Sequence, residues 1–143
     1  MKSCIGSGPS VPADFLRNDS YNEQKRAKPM HTIDRSVAII KPKQPFLDWL
    51  ENQPDWDLDM TLDDLREDSN AYLVPEYDST EQAMRYIERN HKAIFEWELF
   101  GWYTDEAMWP EKLTLSVFRR WFDVEIYEMV IDLLDKHIMR EEL

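Results

Sequence analysis

The sequence predicts an α+β fold, a small single domain of about three strands covered by about five helices in the order β-α-α-β-α-α-α-β. Three observations carry this. Short apolar runs rich in β-branched residues recur at SVAIIK, AYLVP and VEIYEMVIDLL. Between them, apolar residues return at helical spacing. The chain has 143 residues and is 43% hydrophobic, which suits one domain with a real core.

Residues 1–30 differ from the rest. Gly6, Gly8, Pro9, Pro12 and Pro29 interrupt them, and no helical or strand period is present. They are expected to form a disordered or loosely attached arm, with a compact acidic domain over 31–143. Met30 stands at the boundary and is a plausible start; the other reading is a true tether that docks on something.

The elements follow in order. SVAIIK (Ser36–Lys41) is a short buried strand ended by Pro42. PFLDWLENQ starts a helix at Pro45, with Phe46, Trp49 and Leu50 on one face, and Pro54 stops it. TLDDLRED has the capping-box pattern, Thr61 with Asp64, before a short helix. AYLVP (Ala71–Pro75) is the second strand. The longest helix is expected from about Ser79 to Phe100, capped by Ser79 with Gln82 or Asp78 with Glu81, and stopped by Gly101. Met84, Ile87, His91, Ile94 and Phe95 share one face; Tyr86, Trp97 and Phe100 lie roughly opposite. A helix apolar on two sides is sandwiched or meets a partner, which leaves room for a homodimer. Thr104 caps a short turn closed by Pro110, and TLSVFRRWF is a further helix. Val124–Leu134, apolar on both faces, reads as a strand buried on both sides, with a helix as the competing assignment.

Charge narrows the functional classes. The net charge is −12, and it is uneven: residues 1–35 hold six Lys/Arg against four acids, so residues 36–143 carry −14. Such a body repels phosphate backbones, which disfavours direct nucleic-acid binding, and attracts a basic protein partner. No run reaches the roughly 18 apolar residues of a membrane helix. The opening MKSCIGSGPS has no apolar signal region, and a single cysteine forms no internal disulfide. A cytoplasmic protein without membrane contact is the expectation.

Catalytic and metal signatures are absent from the sequence. His31, His91 and His137 form no ligand spacing with one another or with Cys4, so no metal or cofactor is expected. His91 falls within an apolar helix face and is expected to be a satisfied core histidine. The run DWDLDMTLDDLRED (Asp55–Asp68) lacks the glycine and terminal glutamate of a calcium loop and reads as a solvated acidic face. No GxSxG or phosphate-binding glycine loop is present.

What remains is FEWELFGWYTDEAMWP, dense in aromatics and carboxylates around Gly101. Asp105 and Glu106 suit the first turn of a short helix capped by Thr104, and Trp102 and Trp109 suit a packed corner. The functional reading is a half-exposed aromatic–acidic patch of Trp102, Tyr103, Asp105, Glu106 and Trp109, resembling an interface hot spot. Lys41 and Lys43 in KPKQP form a second candidate, as an anion contact or a partner for that patch. Arg119 and Arg120 beside Trp121 read as the solvated side of an amphipathic helix.

SVAIIKPKQPFLDWL, GWYTDEAMWP and RWFDVE together resemble a family of small uncharacterised bacterial proteins, over residues 35–135. The resemblance implies a bacterial cytoplasmic protein. No activity is attached to that family, so it carries no site residues.

Three functions are thus expected in descending order. The first is a non-enzymatic acidic module that binds a basic protein through the 102–109 corner. The second is a small enzyme or ligand binder with Asp105, Glu106 and Lys41 or Lys43 lining one pocket. The third is an acidic mimic of nucleic acid acting through Asp55–Asp68.

Overall fold

A computed structural model describes residues 29–143. The expected arm and Cys4 therefore lie outside the described residues, apart from Pro29 and Met30, which are exposed. The fold is α+β, as the sequence predicts, with five α-helices and five strands among the described residues.

Strand β1 is His31–Thr32 and β2 is Ser36–Pro42. Helices α1 (Gln44–Glu51) and α2 (Leu62–Glu67) lead to β3, Asn70–Val74. Helices α3 (Thr80–Arg89) and α4 (His91–Phe100) follow, then a 3-10 turn at Glu106–Met108 and α5, Leu115–Trp121. Strand β4 is Phe122–Tyr127 and β5 is Ile131–Asp132. The main sheet has the order β3-β2-β4, antiparallel throughout, and β1 pairs β5 in a separate small ribbon.

The register of β2 divides the sheet into two unequal faces. Ser36, Ala38, Ile40 and Pro42 are buried, and they align with Val74, Tyr72 and Asn70 on one side and with Ile126, Val124 and Phe122 on the other. The helices cover this face. Val37, Ile39 and Lys41 point the other way, and their row ends in the half-exposed Leu73 and Tyr127. Under the helices Phe95 is fully buried, its ring 5.1 Å from Phe122 and 5.2 Å from Trp121. Phe46 meets Trp49, Trp121 and Phe122 edge-on. Such edge contacts add about 0.5–1.5 kcal/mol each beyond area burial.

Local signals act where the sequence places them. Thr61 and Asp64 form a complete capping box on α2. Ser79 caps α3 through the Gln82 backbone N–H, while the Gln82 side chain accepts from the Asp78 N–H. Pro45 lies in the first turn of α1, and Thr114 caps α5.

Three expectations need correction. The helix expected over Ser79–Phe100 is two helices broken at Asn90. Asn90 leaves helical geometry (φ −105°, ψ 14°) and turns its Nδ2 onto the Tyr86 carbonyl at 2.8 Å, competing with the helical backbone bond. The strand expected over Val124–Leu134 stops at Tyr127 and re-forms only briefly at β5. Tyr127 ends an edge strand of a one-sided sheet, and Met129, Ile131, Leu133 and Leu134 lie beyond that sheet, so all five stay about half exposed or more. The turn before α5 is capped by Asp105 rather than Thr104, the Asp105 carboxylate accepting from the Ala107 N–H at 3.0 Å.

Candidate functional site

The corner at 102–109 divides into structural and open parts. Trp109 donates its indole N–H to the Tyr103 carbonyl at 2.7 Å and packs on the core. Tyr103 donates to Asp55 at 2.8 Å and meets Trp49 edge-on. Trp49 in turn donates to the Met108 carbonyl. These three rings tie the loop to α1. Asp105 is engaged as a cap, and Glu106 is exposed in the first turn beyond it. Trp102 of the expected group lines a cavity; it is 38% exposed and lies 5.8 Å from Trp56.

The lysines are placed elsewhere. Lys41 lies on the open sheet face, 3.3 Å from Glu125. Lys43 donates to the Arg119 carbonyl at 2.8 Å and stands 3.9 Å from Asp123, lining a shallow basic depression with Arg66, Arg119 and Arg120. Arg119 itself forks onto Glu88 at 2.8 and 3.0 Å, which lowers the Glu88 pKa below the usual carboxylate value. His91 is satisfied as expected, half-buried with Nδ1 2.7 Å from the Glu88 carbonyl.

The cavity behind Trp102 is not among the sites expected from the sequence. It encloses about 550 Å³ between α2, the start of β3 and α4. Asp64, Asp68 and Glu98 bring carboxylates to it, and Trp97, Trp102 and Phe46 bring aromatic surface; no basic side chain among the described residues lines it. Asp64 and Asp68 are exposed at its rim, and Trp97 is 40% exposed.

Glu98 is the exception. It is only 9% exposed and sits among Ile94, Phe95 and Leu99 on the buried side of α4. Asn70 and Tyr72, successive inward residues of β3, both donate to its Oε2, Asn70 at 2.8 Å. Glu98 also lines the cavity. Burial raises the Glu98 pKa, and the Asn70 and Tyr72 bonds oppose that rise. Burial raises the Tyr72 phenol as well, reinforced by the neighbouring carboxylate. Asp64 moves the other way, its pKa lowered by the Thr61 backbone N–H and then by the Thr61 hydroxyl.

A cavity of this composition favours a cation. Carboxylates attract it, aromatic faces accept it, and partial burial strengthens both effects. No group of three or more His, Cys, Asp or Glu among the described residues is placed to hold a metal ion. An organic cation, a guanidinium or ammonium, is the chemistry that fits.

Two signals for this site were present in the sequence. Asp64 and Asp68 are four apart, at the start of α2 and just past its end, and Glu98 interrupts an apolar stripe. No helix among the described residues is long and apolar enough to cross a membrane. Comparison with family models gave no match, and neither the curated proteins nor the solved structures gave one.

Proposed function

We propose that the chain is a non-enzymatic, acidic protein-binding module that takes an arginine or lysine side chain of a basic partner into the cavity beside Trp102. The observation that carries this is the lining: three carboxylates and two half-exposed tryptophans, with no basic group among the described residues. The long-range charge agrees, since residues 36–143 carry −14 and would steer a basic partner toward the body. Trp102 retains the interface role expected of the corner, while Asp64, Asp68 and Glu98 replace Asp105 and Glu106 as the acids beside it.

The opposed pKa shifts of Glu98 and Asp64 also meet the first requirement for acid–base chemistry. Asp64 is held as part of a helix cap, however, and capping is reason enough for its low value. Binding is therefore the reading favoured over catalysis.

The test is titration of the full chain with a nine-residue peptide bearing one central arginine, followed by tryptophan fluorescence. A second peptide carries citrulline, neutral and nearly isosteric, at that position. At least tenfold weaker binding of the citrulline peptide is expected, as is comparable weakening of the arginine peptide by Glu98→Gln. Equal binding of the two peptides would remove the pocket from the function.

A further inference from the structure

A second cavity lies directly beside the first. It encloses about 510 Å³ along the outer side of β3, and Asn70 and Trp97 line both. Its floor is the whole of β3, Asn70–Val74, and its wall is the outward side of α3 and α4, with Tyr86, Ala93 and Trp97. Strand β3 is at the edge of the sheet among the described residues, paired only with β2. The backbone groups on its far side thus have no strand partner, a standing template for one more strand.

The alternation of the sheet decides which side chains would meet the groove. Asn70, Tyr72 and Val74 face the helices, so alternate residues of an added strand would face them too. Same-side residues of a strand are about 6.5–7 Å apart. One side chain could then enter the carboxylate cavity at the Asn70 end while the next two lie on Tyr86, Ala93 and Trp97.

We infer that β3 is a docking edge for an extended, basic segment of a partner protein, which joins the sheet there and places an arginine or lysine in the Glu98 cavity and apolar residues at alternate positions in the groove. This deepens the reading of the chain as a basic-protein binder and rests on it. Charge complementarity selects the occupant: among the described residues, the cavity at one end of the edge presents three carboxylates and no cation. A second copy of the chain is a poor alternative, because edge-to-edge pairing would bring together two chains of −12 each. The chain's own tail is also a poor match, since residues 133–143 hold three acids against Lys136 and Arg140, although Leu143 lies at the groove.

The experiment uses the full chain and four nine-residue peptides of alternating valine and threonine: the central-arginine peptide, its citrulline form, and two forms of the arginine peptide N-methylated on one or the other alternate set of residues. An added strand turns only one alternate set of its N–H groups toward β3. The expected result is at least tenfold weaker binding for one methylated peptide and little change for the other. Amides within Asn70–Val74 should also gain hydrogen-exchange protection when the arginine peptide is bound.

Equal binding of both methylated peptides, with the citrulline form still weak, would overturn the strand pairing and leave the cavity reading standing. Equal binding of the citrulline form would overturn both. Failure of the arginine peptide to bind at millimolar concentration would do the same. Exchange protection of Asn70–Val74 already present in the free chain would assign the edge to another occupant: a second copy if it rises with protein concentration, the chain's own termini if it does not.

Discussion

Tyr72 donates its phenolic hydrogen to Oε2 of Glu98, so that a residue of the edge strand holds a nearly buried carboxylate of the helix packed above it. Asn70 donates to the same oxygen. Two consecutive inward positions of β3 thus fix where the charge of α4 stands. Tyr72→Phe keeps the ring and removes the donor. It is expected to cost about 0.5–3 kcal/mol, spanning the ranges for hydrogen bonds to neutral and to charged groups. Urea denaturation measures this, and an unchanged midpoint would show that the bond contributes nothing net.

Glu98→Gln gives a stability signature that depends on pH. The Glu98 pKa is raised above 4.5, the value expected in the unfolded chain. Its contribution to stability is therefore fully present below about 4.5 and is lost as pH rises through the folded-state pKa. Glutamine has no such term. The melting temperature of the variant relative to the parent should climb with pH across that window and then level off. A variant that gains stability while losing affinity for the arginine peptide marks a residue kept for binding. A difference in melting temperature that stays flat from pH 4 to 8 would contradict the burial argument.

Phe95 and Trp102 separate core from surface within one short stretch. Phe95 is fully buried among Phe118, Trp121 and Phe122, and Phe95→Ala should cost about 3–5 kcal/mol. Trp102→Ala removes a ring already 38% exposed. It should leave a cooperative melt in place while weakening the arginine peptide at least tenfold. Thermal melts followed by circular dichroism distinguish the two, and collapse of the Trp102 variant would return that residue to the core.

Gly101 ends α4 without using the freedom of a glycine. Its φ is −61° and ψ −19°, and an added Cβ would meet nothing closer than the Glu98 carbonyl at 3.6 Å. Gly101→Ala should be neutral or stabilising by up to about 1 kcal/mol, through lower entropy of the unfolded chain. A loss above 1 kcal/mol in urea would show a constraint beyond local geometry.

Local chemistry was readable from the residues; its tertiary setting was not. The Thr61–Asp64 capping box and the Ser79 cap depend on neighbours three positions away, and both formed as their spacing predicts. The break at Asn90 was missed because the apolar stripe runs through it unchanged. Only the competition of the Asn90 amide for the Tyr86 carbonyl interrupts it. Val124–Leu134 looked doubly buried because both sides are apolar, yet burial depends on what covers a sheet, and here helices cover one face. The candidate site followed the same rule. Trp102 stood out by composition, but Glu98 became a site residue only when β3 supplied Asn70 and Tyr72, more than twenty positions earlier.

The pairing of β2 with β4 also sets an order of events during synthesis. Ser36 reaches across 92 positions to the Glu128 carbonyl, and Val37 aligns with Tyr127. While the chain is being made, the middle strand of the sheet has only β3 beside it, and the face that will hold Phe122 stands open. The sheet closes only when residues 122–127 are out of the ribosome, and until then Phe46 and Phe95 lack the Trp121 and Phe122 rings they pack on. Non-local closure of this kind slows folding. The nascent chain therefore carries an unpaired β2 edge and exposed aromatic surface until β4 emerges, the period in which it is most open to misassembly and to chaperone capture.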